Sequence, residues 1–289
     1  MKKIAILMAA FNGEKWISEQ LESILSQREV IIDLYVSLDL STDKTLDILQ
    51  SFRSQHNNLF LLPYGKKFGG AAKNFYRLIK EVNFKSYDYV AFADQDDIWS
   101  SSRLSRGIKC IDSSKSKAYS SDVTAFWANG SKKLLIKSQP QKKFDYMFES
   151  AGPGCTYIFE AETFLEFKSF VDINWNKVQK VEFHDWLAYS FFRSRGYKWH
   201  IDNQSNVLYR QHERNQFGAN ASFKAIFTRL NLIRNSWYKN QIKIISELNN
   251  FPTIDRKFIL KNFMQTRRKK IHAVSMLFVC MYFESFNID

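Results

Sequence analysis

Apolar runs at Lys3–Ala9, Ile31–Leu38, Leu59–Leu62 and Tyr89–Ala93 alternate with segments whose apolar residues recur every three or four positions. Trp16, Leu21, Ile24 and Leu25 form one such set; Thr45, Ile48, Leu49 and Phe52 a second; Phe75, Leu78, Ile79 and Val82 a third. Short continuous runs read as buried strands and the longer period as amphipathic helices. Their alternation predicts βαβ units and an α/β fold with a mostly parallel, Rossmann-like sheet flanked by helices. Ser41 is placed to cap the second helix, with Lys44-Thr45 in its first turn. Ligands of such a sheet gather beyond the carboxyl ends of its strands. The residues expected there are Ala10-Phe11-Asn12, then Asp39, then Asp94-Gln95-Asp96-Asp97.

The 289 residues are 45% apolar, enough for one main core with an appended tail. Cys110, Cys155 and Cys280 are odd in number and far apart, which argues against a disulfide framework or a structural zinc site and suits a reducing cytoplasm. The apolar start after Met1-Lys2-Lys3 imitates a leader. It is short, however, and runs directly into Asn12-Gly13-Glu14, as a first strand and its turn do. No stretch reaches the roughly 18 to 20 apolar residues that span a bilayer. Of the net charge of +13, +8 lies from Ala221 onward, where twelve basic residues face four acidic ones.

In Asp94-Gln95-Asp96, alternate residues of an extended segment project to one side, so two carboxylates converge. Oxygen-rich pairs of this kind suit Mg²⁺ or Mn²⁺ shared with a diphosphate. Taken alone, a solvated acidic turn explains the triplet as well. Gly152-Pro153-Gly154-Cys155-Thr156 is a tight turn feeding the apolar Tyr157-Ile158-Phe159, with Cys155 read as a packed side chain rather than a nucleophile. His184-Asp185 opens a helix-like run, where a carboxylate also serves as cap and dipole partner. Val207–Gln216 carries Arg210, His212 and Arg214, with a surface loop as the plain alternative; His56, His200 and His272 read as structural.

Together, Met8-Ala9-Ala10-Phe11-Asn12-Gly13, Val36-Ser37-Leu38-Asp39-Leu40-Ser41-Thr42-Asp43 and Ala93-Asp94-Gln95-Asp96-Asp97-Ile98-Trp99 resemble the family 2 glycosyltransferases of the GT-A fold. The DQDDIW wording looks especially like bacterial rhamnosyltransferases of surface polysaccharide synthesis, and the resemblance spans roughly residues 3 to 218. It implies that Asn12 and Asp39 hold the nucleotide, Asp39 through the pairing edge of the base. Leu38 and Leu40 stand where the family writes an acid and a glycine. Asp94 would contact ribose or metal, Asp96 would ligate the metal, and His212 would complete the metal site or touch the diphosphate. Arg210 or Arg214 would pair with phosphate, Asp97 would orient the acceptor or support its loop, and Gly154, Cys155 and Thr156 would lie near acceptor and sugar. Asp185 would be the general base of an inverting transfer.

Residues 223 to 283 read as two or three helices, the first marked by Phe223, Ile226, Phe227, Leu230 and Ile233. Arg267-Arg268-Lys269-Lys270 before the apolar run from Ile271 suits a helix lying on an anionic membrane surface, with packing on the catalytic domain or a partner subunit as the alternative. No nucleic-acid motif accompanies the charge. The expected organisation is a GT-A-like catalytic domain over residues 1–220 and a basic tail over 221–289. The expected function is metal-dependent transfer of a sugar, L-rhamnose from dTDP-L-rhamnose being one candidate, from a nucleotide-diphospho-sugar to a saccharide or lipid-linked saccharide at the inner face of the membrane. A non-catalytic nucleotide-sugar-binding or scaffold protein is the alternative from another class.

Overall fold

The computed structural model describes residues 1–212 and 237–282, with side chains as far as Leu277. Arg214 and the helix expected from Phe223 to Ile233 lie outside the described residues, as does the expected domain boundary at residues 220–221.

In chain order the elements are β1 (Lys2–Ala10), α1 (Ile17–Leu25), β2 (Val30–Leu38), α2 (Thr45–Gln55), β3 (Leu59–Leu61), α3 (Ala71–Glu81), β4 (Tyr89–Ala93), β5 (Ile98–Trp99) and α4 (Arg103–Ser114). There follow β6 (Ala118–Ser121), β7 (Val123–Trp127), β8 (Lys132–Leu135), β9 (Ile158–Glu160), α5 (Ala161–Ile173), α6 (Trp175–Val178), α7 (His184–Ser194), β10 (Trp199–Asp202) and β11 (Val207–Gln211). The tail contributes α8 (Trp237–Leu248), α9 (Arg256–Asn262) and α10 (Lys270–Tyr282).

The main sheet runs β10-β6-β9-β4-β1-β2-β3. Strands β4, β1, β2 and β3 pair in parallel, as expected, while β9 is antiparallel to both β4 and β6. Alternation along β1 divides the interior in two. Ala5 and Leu7 face the layer containing Phe75, Phe92, Phe164 and Phe192, and Ile4, Ile6 and Met8 face that of Leu21, Leu34 and Leu104. Burial on both faces is what makes this strand continuously apolar.

A second sheet, in the order β5-β11-β7-β8, was not expected. β11 lies antiparallel to β5 and parallel to β7, so residues beyond Tyr209 are drawn alongside the acidic segment that precedes β5. Val207–Gln211 is thus a strand and not a surface loop, and residues 213–216 of the expected segment lie outside the described residues.

Ser41 does not cap α2, which starts at Thr45. Asp43 Oδ1 accepts the Thr45 N–H at 3.0 Å, while the Ser41 hydroxyl donates to the Asp39 carbonyl and accepts the Asn12 N–H. The described part of the tail joins the main core through Ile242, Ile245, Leu248, Ile254, Ile259 and Met276. Among the described residues, no helix is long and apolar enough to cross a membrane.

Candidate active site

The ends of β1, β2 and β4 meet as the parallel topology requires. Asn12, in the left-handed region at φ 46°, accepts the Thr42 N–H on its Oδ1 at 2.8 Å, and its own N–H donates to Ser41. It therefore ties the first loop to the second. Asp39 is buried, and its carboxylate accepts N–H groups of Leu40, Phe68 and Gly69 at 2.8 to 2.9 Å. These bonds close the loop after β3 over the strand ends and engage both oxygens on the protein's own backbone. Leu40, where the family writes glycine, is not in the left-handed region, so the substitution brings no backbone strain.

The acidic segment is held from several sides. Gln95 clasps Phe11, accepting its N–H at 2.9 Å and donating to its carbonyl at 2.8 Å. A side chain at Gly13 would lie 2.3 Å from Gln95 Oε1, which explains the glycine. Gln20 donates to the Asp94 carbonyl at 2.9 Å. His212 Nε2 lies 2.7 Å from Asp96 Oδ2, with its ring stacked 4.0 Å from that of Trp16. The two residues are 116 positions apart, and the second sheet brings them together.

Arg210 Nε donates to the Asp96 carbonyl at 2.7 Å, its guanidinium also pairs with Glu19, and its backbone N–H donates to Asp97 Oδ1. Arg210 thereby braces the acidic loop.

Asp97 is fully buried, and its Oδ2 has no hydrogen-bond partner. Cys155 joins it, with ligand atoms of Asp94, Asp97 and Cys155 within 4.8 Å of one another. Burial, then the neighbouring Asp96 and Asp185, push the Asp94 carboxyl up to about 7. Burial, then Asp96 and Asp94, raise Asp97 well above the carboxylate range. Among the described residues, the His212 ring is the basic side chain that meets one of these three carboxylates, that of Asp96. Repelling carboxylates, an orphaned oxygen and an imidazole make a donor set that fits a hard divalent cation. The ligand atoms that converge within 4.8 Å belong to Asp94, Asp97 and Cys155, while His212 meets Asp96.

Behind the acids lies Arg103, buried on α4, stacked 3.6 Å over Trp99 and donating to the Cys155 carbonyl at 2.5 Å. Sequence reasoning passed over Arg103, Gln95, Gln20 and Trp16. The signal lay in the text of the acidic motif itself, since Trp99 and Arg103 follow Asp97 within six residues.

Asp185 sits in the first turn of α7, where its Oδ1 accepts the Trp186 N–H at 2.7 Å. Burial raises its carboxyl to about 6, against opposing effects from Trp186 N–H, the Ser150 hydroxyl and the Lys137 charge. The preceding His184 is stacked 3.8 Å from Phe75, and burial lowers its pKa to about 3, so it is a neutral core ring. The turn at Gly154 passes so close that a side chain there would lie 2.8 Å from His184 Nε2 and 3.1 Å from Asp185 Cβ. Thr156 is turned inward, its hydroxyl donating to the Pro153 carbonyl at 2.8 Å. The segment 154–156 therefore contacts both the acids and Asp185, and the charges of Asp94 and Asp185 act on each other.

A mostly parallel sheet whose strand ends carry an aspartate cluster beside a separate basic carboxylate defines a sugar-nucleotide transferase of the GT-A type. Residues 5–170 match the model of Glycosyl transferase family 2, and the chain belongs to that family. It is 46% identical over 281 residues to dTDP-rhamnosyl transferase RfbG of Shigella flexneri, covering 93% of this chain and 97% of RfbG. It is 25% identical to the UDP-Glc:alpha-D-GlcNAc-diphosphoundecaprenol beta-1,3-glucosyltransferase WfaP of Escherichia coli, over 85% of this chain and 91% of WfaP. In fold it matches residues 1–349 of TarS from S. aureus with a TM-score of 0.55 at 16% identity, covering 96% of this chain and 70% of that one. The enzyme is a glycosyltransferase.

Proposed function

We propose that the enzyme transfers L-rhamnose from dTDP-L-rhamnose, with inversion, to a hydroxyl of a carrier-linked saccharide in surface polysaccharide synthesis. The observation that carries the chemistry is the placement of Asp185 across the Gly154 turn from the acidic cluster. The identity with RfbG supports the donor.

On this reading Asp185 takes the proton of the acceptor hydroxyl as its oxygen attacks the anomeric carbon, through an oxocarbenium-like state. Asp94, Asp96 and His212 would hold Mg²⁺ or Mn²⁺, which would neutralise charge on the departing nucleotide diphosphate. Gly154 keeps the acceptor loop against the base, and Asp97 and Arg103 support it from behind. Asn12 and Asp39 shape the nucleotide pocket through the loops they fasten. Exposed Lys269, Lys270, Ile271 and Val274 support a peripheral seat of the tail on an anionic inner membrane face.

Nucleotide release measured across several sugar nucleotides tests the donor, and dTDP-L-rhamnose is expected to be turned over fastest. Excess chelator should abolish release and Mg²⁺ or Mn²⁺ restore it. Full activity in chelator removes the metal from the mechanism.

A further inference from the structure

Beside the contact of Asp96 with His212 lies a second, inner group of ligand atoms. A carboxylate oxygen of Asp94, one of Asp97 and the Cys155 sulfur all lie within 4.8 Å of one another. Asp97 and Cys155 are fully buried, whereas Asp94 is half-buried and opens the group toward solvent. The three come from separate parts of the fold. Asp94 follows β4, Asp97 precedes β5, and Cys155 stands in the turn before β9, the antiparallel neighbour of β4.

The Arg210 backbone N–H fixes Asp97 Oδ1 at 3.1 Å, which leaves Oδ2 buried and without a hydrogen-bond partner among the described residues. An oxygen held out of water in this way is costly unless something binds it. Arg103 supplies the remaining charge. It is buried, donates through Nη2 to the Cys155 carbonyl at 2.5 Å, and its Nε and Nη1 have no partner among the described residues. A dication together with this one guanidinium balances two carboxylates and a thiolate, so that no net charge is left in the interior.

A second cluster with a thiol, formed by Cys110, His200 and Asp202, differs in the respect that matters. Both oxygens of Asp202 are taken, by Arg106 at 2.7 and 3.0 Å and by the Tyr119 hydroxyl at 3.0 Å. A cation there has an arginine to displace, whereas at Asp97 an oxygen stands open.

We propose that Asp94, Asp97 and Cys155 form an inner site for a thiophilic divalent cation of the zinc class, sharing only Asp94 with the position assigned above to Mg²⁺ or Mn²⁺. Sulfur decides the class: carboxylate and water suit Mg²⁺, while a thiolate selects softer ions such as Zn²⁺. Zinc binds carboxylate oxygen at about 2.0 to 2.2 Å and thiolate at about 2.3 Å, so its ligand atoms stand about 3 to 4 Å apart, a spacing the group already approaches. Three protein ligands with water in the fourth position complete a tetrahedral site, and the thiol proton leaves to solvent as the metal binds. The site stands on these contacts and does not depend on the glycosyl transfer proposed above.

The test uses Co²⁺, whose bond to a thiolate gives a near-ultraviolet charge-transfer band that its bonds to oxygen and nitrogen lack. The full chain carrying Cys110→Ser and Cys280→Ser keeps Cys155 as its sole thiol, so any such band belongs to that residue. Titration with Co²⁺ should raise the band in this chain. Stoichiometric Zn²⁺ should bleach it, and Mg²⁺ at about hundredfold excess should not. Asp97→Asn keeps the size of the side chain and removes its charge. It should weaken Co²⁺ binding by at least about tenfold, since even residues that only support a metal ligand cost 10- to 100-fold when replaced. Cys155→Ser and Cys155→Ala in the same background should abolish the band, with circular dichroism and melting of the metal-free forms confirming that each is folded. The wild-type chain gives the same reading by difference from Cys155→Ser alone.

No band at saturating Co²⁺ in the folded sole-thiol chain overturns the site and leaves Cys155 a protonated thiol among carboxyls. A band indifferent to Asp97→Asn overturns it as well, because the thiol then binds cobalt without the pocket. Displacement of Co²⁺ by Mg²⁺ as readily as by Zn²⁺ overturns the assignment to a thiophilic cation.

Discussion

A base for sugar transfer must be ionised at working pH and still hold a proton well enough to take it from a hydroxyl. Asp185, raised to about 6 chiefly by burial, meets both conditions. Below that pH it is protonated and cannot accept, so turnover should fall as pH drops through about 6 and level off above it. Asp185→Asn should keep donor affinity and lose about 10² to 10⁴ in turnover; unchanged turnover would make Asp185 only a helix cap. The same shift makes a stability prediction. The folded state holds this proton more tightly than the unfolded chain, so stability contributed at low pH is lost as pH rises from the ordinary carboxyl value of 3.8 to about 6. Asp185→Asn removes the buried charge, and its melting temperature at pH 8 should equal or exceed that of wild type. Lys137 opposes the upward shift, so Lys137→Met should move the acid limb of the rate profile to higher pH.

At the scale of elements, the site depends on how closely the turn before β9 approaches the start of α7. Gly154 is the contact point, and the nearest atoms belong to a ring packed against Phe75 and to Asp185 itself. Neither gives way freely. Gly154→Ala should therefore cost about 1 to 3 kcal/mol of stability, the usual range for overpacking, and displace Asp185 from its acceptor. The checks are denaturant unfolding and the turnover of the purified variant. A variant of wild-type stability and turnover would show that the turn has room. From the sequence, Gly154 was legible only as part of a tight turn, because the clash that demands glycine comes from a helix thirty residues further on.

For the whole molecule, the tail decides whether the catalytic part stands alone. Six described tail side chains, from Ile242 to Met276, are buried in the main core. At about 1.5 kcal/mol or more each, their loss approaches the whole stability of an ordinary domain. A chain ending at residue 236 is thus expected to be insoluble, or to melt far below the full protein in a thermal scan. A truncated chain with unchanged melting would return the tail to the role of a separate attachment.

The sequence by itself determined the four parallel strands, the helices between them and the acids at the strand ends, because a period of two or of 3.6 is a local property that burial on one face or both imposes. It also carried the family, since the acids stand in fixed wording beside apolar strand residues. Only the tertiary structure decided that His212 reaches Asp96, that Arg210 braces the loop and that Arg268 turns inward. It alone showed that Asp39 spends its carboxylate on Phe68 and Gly69. Each of these depends on segments apart in the chain, brought together by the main sheet, a small second sheet or a folded-back tail. Periodicity records which face of an element is buried; it holds no information about which distant side chain that face will meet.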